Sequence, residues 1–253
     1  MNMGPREWDA QTYDLVSDPQ YEWGLEVLDR IELAGDELVM DAGCGSGRVT
    51  AKLLERLPEG RVLCVDASES MIDKAREALG DRADYLVADL SELEVPDPVD
   101  LIFSTATFHW VPDHDLLFSR LHAALKPGGR LIAQCGGEGN VAKHAQAIVS
   151  VATRPEFAGH FEGMTIMWNF ASPGETEERL RNAGFDRARC WLENKPVQPE
   201  HPYDFTTTVT MGPHLSRLPE GMRRSFAEAV LELEDDPLTL NYVRLNIEAT
   251  HAG

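Results

Sequence analysis

The first residues that could do chemistry are Val39-Met40-Asp41-Ala42-Gly43-Cys44-Gly45-Ser46-Gly47, an apolar run ending in a carboxylate and three alternating glycines. Glycine is required where backbone turns sharply and must meet a ligand with no Cβ in the way. If the run is a strand of an open α/β sheet, the turn lies at the carboxyl edge, where ligands bind. The spacing argues against two nucleotide sites. A dinucleotide loop needs a third glycine, yet that position holds Arg48 when counted from Gly43 and Thr50 when counted from Gly45. A phosphate loop needs Gly-Lys followed by Ser or Thr, and none follows. An ordinary strand–turn–helix with glycines kept for packing is the competing reading. Two more acids weigh against it. Asp66 ends Val62-Leu63-Cys64-Val65-Asp66, where an acid about 20 residues past the loop can grip ribose hydroxyls. Asp89 follows a third apolar run in Val87-Ala88-Asp89-Leu90. Each acid alone reads as a cap or a solvated loop residue; three in step are hard to credit to packing.

Beyond these lies Asp100-Leu101-Ile102-Phe103-Ser104-Thr105-Ala106-Thr107-Phe108-His109-Trp110-Val111-Pro112-Asp113-His114. His109 is a candidate general base, but a loop histidine serves equally to orient a substrate or to bond a neighbour. Trp110 reads as core or as pocket wall. His114, beside Asp113 at a helix start, reads as a cap-region or surface residue. Arg244, in Tyr242-Val243-Arg244-Leu245, is a surface residue of a last strand or, if turned inward, a bidentate partner for a carboxylate. Trp23 and Trp168 read as packing. The four cysteines, Cys44, Cys64, Cys135 and Cys190, are far apart and no His/Cys cluster has zinc spacing, so neither a disulfide framework nor a metal is expected.

Strand–helix alternation must position these groups. Strands are predicted at Leu38–Asp41, Val62–Asp66, Tyr85–Val87, Leu101–Ser104 and Leu131–Cys135. Helices are predicted over Val49–Leu57, over Ser68–Leu79 behind a Ser68 N-cap, and over Asp113–Leu125 with Leu116, Leu117, Leu121 and Leu125 inward. This pattern calls for a doubly wound, mostly parallel sheet covered on both faces. Pro127-Gly128-Gly129 reads as a turn feeding the fifth strand. Further helices are expected at Val141–Ala152, Pro173–Ala183 and Met222–Leu233, with strands at Ala188–Glu193 and Leu240–Ala249. The chain of 253 residues fits a single domain, with residues 1–30 as an N-terminal cap and residues 195–237 as a helical lid inserted before the last strand.

Acidic residues outnumber basic ones by 43 to 23, a formal charge of −20 whose field repels phosphate backbones and anionic lipid, so nucleic acid and membrane are not expected partners. Residues 1–13 carry no apolar core or basic leader, and no apolar run approaches the roughly 20 residues of a membrane span. A cytoplasmic monomer or homodimer with reduced thiols, acting on a small molecule, is the expectation.

The Asp-x-Gly-x-Gly-x-Gly loop at Asp41–Gly47 resembles motif I of the class I S-adenosylmethionine-dependent methyltransferases. The resemblance implies a Rossmann-like seven-stranded fold with S-adenosylmethionine as cofactor and S-adenosylhomocysteine as product. It assigns the ligand's amino-acid end to Asp41, Gly43 and Gly45, the ribose to Asp66 with Ala67 beside it, and the adenine to Asp89, Leu90 and Met71; Ser104 closes the cofactor set. His109-Trp110-Val111 followed by Pro112-Asp113-His114 is similar to trans-aconitate methyltransferases and insect juvenile hormone acid methyltransferases, which methylate carboxyl oxygens. Trp8-Asp9-Ala10-Gln11-Thr12-Tyr13 matches the opening of the trans-aconitate group, which makes Trp8, Tyr13, Trp110 and Arg244 the candidate substrate contacts. The likeness is close from Trp8 to Gln134 and loose beyond. Ser104-Thr105-Ala106 stands where the family often has Ser/Ala-Asn-Ala, so an asparagine that could orient substrate is absent. The implied reaction is O-methylation of a small carboxylic acid. Methylation of a hydroxyl, amine or carbon of another metabolite, or cofactor binding without turnover, are the alternatives.

Overall fold

A computed structural model describes residues 18–164 and 168–253; Trp8 and Tyr13 lie outside the described residues. Among these, helix α1 (Asp18–Leu28) precedes β1 (Leu38–Ala42), α2 (Arg48–Glu55), β2 (Arg61–Asp66), α3 (Glu69–Leu79), β3 (Ala83–Val87) and β4 (Val99–Thr105). Then come α4 (His114–Ala123), β5 (Leu125–Gly136), α5 (Ala142–Ala152), α6 (Pro155–Ala158), α7 (Pro173–Asn182) and β6 (Phe185–Val197). Helices α8 (Pro202–Val209), α9 (Gly212–Leu215) and α10 (Glu220–Leu231) lead to β7 (Leu240–His251). The seven strands form one sheet in the order β3-β2-β1-β4-β5-β7-β6. All pairs are parallel except those made by β7. The strand order reverses between β1 and β4, so the glycine loop after β1 opens at the switch point of the sheet.

Strand alternation divides the core into two layers. Val39, Val62, Cys64, Leu101 and Phe103 face one side, with Val27 and Leu28 of α1, Leu53 and Leu54 of α2, and Ile72 and Ala75 of α3. Met40, Leu63, Val65 and Ile102 face the other, with Leu117, Phe118 and Leu121 of α4 and Leu180 of α7. Period-2 alternation on strands buried on both faces produces this division. A third apolar cluster, containing Ile148, Val151, Phe157, Met211, Phe226 and Val230 with Leu215 packed against it, joins α5 and α6 to α9 and α10. Among the described residues no helix is long and apolar enough to cross a membrane.

Several local expectations change. Pro127-Gly128-Gly129 lies inside β5 rather than before it: the pairing jumps from Val99 with Leu125 to Leu101 with Arg130, so the three residues are accommodated as an irregularity against β4. Gly128 takes φ 79°, which supplies the bend. Leu116 is exposed, because Asp113 caps α4 through the Leu116 amide and turns that side chain outward. Leu125 belongs to β5, not to α4. β6 extends to Val197, so the first residues of the 195–237 segment are strand. The Ser68 cap is present, its hydroxyl accepting from the Met71 amide.

Phe103, fully buried at the centre of β4, touches the layer that also carries the first loop. Phe103→Ala is expected to cost about 3–5 kcal/mol of unfolding free energy. Urea titration followed by circular dichroism checks this, and a loss below about 1 kcal/mol contradicts that packing.

Candidate active site

The glycine loop is held from two sides. The amides of Gly43 and Cys44 both donate to the Val65 carbonyl, at 2.7 and 3.0 Å, and the Gly45 amide donates to Oδ2 of Asp66 at 3.0 Å. Gly43 and Gly45 have φ of 85° and 54°, which L side chains rarely adopt. A Cβ on Gly43 would meet the Thr107 side chain at 2.1 Å, so the loop after β4 presses against the loop after β1. A Cβ on Gly45 would meet nothing within 4 Å among the described residues. The backbone there is bare toward the carboxyl edge, where a ligand can come close.

The acids occupy distinct settings. Asp66 Oδ1 accepts from the Ser68 amide at 2.9 Å, so this carboxylate ties the loop to the start of α3, with half-buried Ala67 between. Carboxylate oxygens accept more than one bond each, so ribose hydroxyls can be added. Asp89 is exposed; its Oδ1 takes the Ser91 amide and hydroxyl at 2.8 and 2.7 Å, which fixes the carboxylate at the end of β3. Leu90 and Met71 are buried beside it. Asp41 lies beneath the loop, 2% exposed, its Oδ2 accepting from Thr50 Oγ1 at 2.7 Å. Burial pushes its carboxyl up to about 7, opposed by the Thr50 bond and reinforced by the charge of Asp66. Ser104 departs from the cofactor role expected of it. Its hydroxyl is buried and donates to the Ala42 carbonyl at 2.6 Å, a tie between β4 and β1. Bare backbone at Gly45, with two acids fixed at adjacent strand ends, fits a nucleoside bearing an amino-acid arm.

Next to this rim opens a small cleft of about 50 Å³, partly open to solvent. Its lining includes Ala106, His109 and Trp110 from the β4 loop and Tyr242 and Arg244 from β7. Arg244 is buried, not on the surface. Its Nε donates to Gln134 Oε1 at 3.4 Å, and its guanidinium lies 4.9 Å above the Trp23 ring. Trp23 in turn meets Tyr242 edge-on at 5.2 Å. His109 accepts the Gly136 amide at Nδ1, at 3.3 Å. Burial, with the charge of Arg244 adding to it, holds this imidazole well below the usual histidine range. A neutral ring that accepts at Nδ1 carries its proton on Nε2. His109 is therefore a hydrogen-bond donor, and the base role considered for it does not fit this arrangement. His114 is also buried rather than exposed, with Nε2 2.9 Å from the Phe108 carbonyl; it braces the turn that presents His109.

The structure adds residues that sequence reasoning passed over. Trp168, read as packing, lines the cleft with Phe170, Gln20, Asn140 and Thr210. Only Asn140 had a usable signal, the Gly136-Gly137-Glu138-Gly139 run that ends β5 at the same sheet edge. Thr210 belongs to a buried relay. Its hydroxyl donates to Thr206 O at 2.9 Å, so it accepts from His144 Nε2 at 2.8 Å. Nδ1 of His144 lies 2.7 Å from Glu234 Oε1, and both side chains are 2% exposed. One proton bridges that contact.

Residues 39–129 match the family of methyltransferase domains. A trans-aconitate 2-methyltransferase of Methylobacterium nodulans is 32% identical over 186 residues, covering 74% of this chain and 67% of the relative. The chain belongs to the class I S-adenosylmethionine-dependent methyltransferases. S-adenosylmethionine is accordingly its cofactor. The trans-aconitate 2-methyltransferase of Azoarcus sp. is 41% identical over 127 residues, and the match spans half the length of each chain. Among solved structures, Haemonchus contortus phosphoethanolamine N-methyltransferase 2, bound to phosphomonomethylethanolamine and S-adenosylhomocysteine, superposes with TM-score 0.61 at 19% identity, covering 96% of this chain and 57% of that one. A mycolic acid cyclopropane synthase bound to S-adenosylhomocysteine gives 0.60 at 14% identity over 99% of both chains. At that identity the two structures speak for the shared fold.

The raised carboxyl of Asp41 makes folding pH-dependent. The native chain keeps this proton to about pH 7 whereas the unfolded chain releases it in the ordinary carboxylate range, so its contribution to stability falls as pH rises between those limits. Thermal melts should show the wild type losing ground to Asp41→Asn between about pH 5 and 7.5. Parallel melting curves across that window contradict the assignment.

Proposed function

We propose that the protein methylates a carboxylate oxygen of a small carboxylic acid. The observation that carries this reading is the cleft beside the glycine loop, which Arg244 and the neutral ring of His109 both line. Arginine matches a carboxylate bidentately, and a neutral imidazole N–H adds a further donor without demanding a proton in return. The trans-aconitate 2-methyltransferases among its relatives support the same reaction.

In this proposal the bound cofactor supplies a methyl group on a sulfonium, a good leaving group. The chain's residues supply position. The Gly43–Gly45 backbone receives the amino-acid arm, Asp66 the ribose, and Asp89 with Met71 the adenine; Asp41, buried and bonded to Thr50, braces the end of β1 beneath the loop and does not touch the arm. Arg244 and His109 hold the acceptor so that one carboxylate oxygen faces the methyl carbon. The new O–C bond forms as the C–S bond breaks onto sulfur, and no proton moves. Alignment of this kind is worth up to about 7–11 kcal/mol. Helices α8–α10, with Val209 and Thr210 in the cleft wall, serve as the lid, and α1, which contributes Gln20, closes the opposite side.

Arg244→Met should reduce kcat/KM for a carboxylic acid by about 30-fold or more, as expected when one partner of a buried charge-assisted contact is removed. Calorimetry should find cofactor affinity within about twofold of wild type in that variant. His109→Ala should raise KM while keeping most of kcat, because an ionised carboxylate needs no base. A collapse of kcat in His109→Ala, with intact cofactor binding, would favour a hydroxyl or amine acceptor instead.

A further inference from the structure

We propose that the acceptor is a monocarboxylic acid with an apolar, preferably flat body, and not a polycarboxylate; the inference rests on the carboxyl-methylating reading above and narrows it. Four rings form a closed circuit in the cleft wall. His109 lies 5.2 Å from Trp110, Trp110 5.9 Å from Trp168, Trp168 5.7 Å from Phe170, and Phe170 5.6 Å from His109. All four line the cleft, and Trp110, Trp168 and Phe170 are half-buried although their surroundings are closely packed. Gly136 shows how tight that packing is, since a Cβ there would meet the Phe170 ring at 2.6 Å. Fixed aromatic surface left facing a cleft favours an apolar ligand that can cover it.

The ionic side of the cleft is narrow by comparison. Arg244 is the single lysine or arginine lining it among the described residues. Residues 165–167 contain no cation, and residues 1–17 contain only Arg6. One carboxylate can be met by Arg244 and the His109 N–H. Beyond them the described lining offers a second or third carboxylate only the neutral groups of Gln20, Asn140, Thr210 and Tyr242 among aromatic rings, and an ionised carboxylate buried without a charged partner is disfavoured. The chain's formal charge of −20 adds a repulsive field for a polyanion.

The test uses the full chain and S-adenosylmethionine, following S-adenosylhomocysteine release with cinnamate, octanoate and trans-aconitate. The expected result is a kcat/KM for cinnamate or octanoate at least tenfold above that for trans-aconitate. Trp168→Ala should lower the preferred acid's kcat/KM at least fivefold, mainly through KM, with cofactor affinity unchanged by calorimetry. Trp168→Phe, which keeps a ring, should stay within about twofold of wild type, and it keeps the test open if the alanine variant misfolds. Preference of the wild type for trans-aconitate overturns this inference while leaving carboxyl methylation standing, as does a folded Trp168→Ala variant that keeps the wild-type kcat/KM. Turnover of none of the three acids by protein that binds the cofactor sinks the carboxyl reading itself, and this inference with it.

Discussion

Much of this molecule depends on a short stretch of backbone being held open. Three successive amides of the first loop are committed to the neighbouring strand, those of Gly43 and Cys44 to the Val65 carbonyl and that of Gly45 to the Asp66 carboxylate. Once satisfied in this way, the loop has no reason to fold back on itself, and its bare face is left at the sheet edge. The same carboxylate receives the Ser68 amide, so the loop and the entry to α3 share one anchor. Strand order supplies the space: the connections after β1 and β4 leave in opposite directions at the switch point, and the gap lies above the loop.

Pressure from the opposite side completes the arrangement. Thr107 closes on Gly43, and the turn that follows carries His109 into the cleft. The buried ring of His114 supports that turn from below through the Phe108 carbonyl. The cofactor rim and the acceptor cleft are thus neighbours on one continuous backbone path. Under the proposed reading this places a leaving group and an acceptor side by side. Polarity within the cleft follows from burial, since a cation at Arg244 and a desolvated imidazole beside it cannot both be charged cheaply.

The loop, strand ends and helix cap proposed to hold the cofactor were legible as structure because each leaves a local mark. Strand ends carry aspartates, turns carry glycines, and α3 carries a serine at the capping position, all within a few residues of the group they serve. Pro127-Gly128-Gly129 misled because turn-forming residues also fit a strand irregularity, and only the partner strand decides between them. His114 was read as a cap-region or surface residue, and it does open the helix behind the Asp113 cap; a polar residue there is normally solvated, but here packing against Phe118 and the Phe108 carbonyl buries it. The acceptor cleft was largely illegible. Its walls come from α1, the β4 loop, the end of β5, the Trp168–Phe170 segment, α8 and β7, and no short-range spacing connects them. Trp168 in isolation looks like packing, and its role becomes visible only beside three other rings.

The relay behind Thr210 has a consequence for how this chain can vary. A hydroxyl, an imidazole and a carboxyl from three separate segments satisfy one another out of reach of water, and the imidazole and carboxyl lie 90 positions apart. Exchange of any one member leaves the others with unmet polar atoms, an expensive state in a buried setting. Positions 144, 210 and 234 are therefore bound to drift together or not at all, and the side of the cleft they brace inherits that inertia even where neighbouring wall residues are free to diversify.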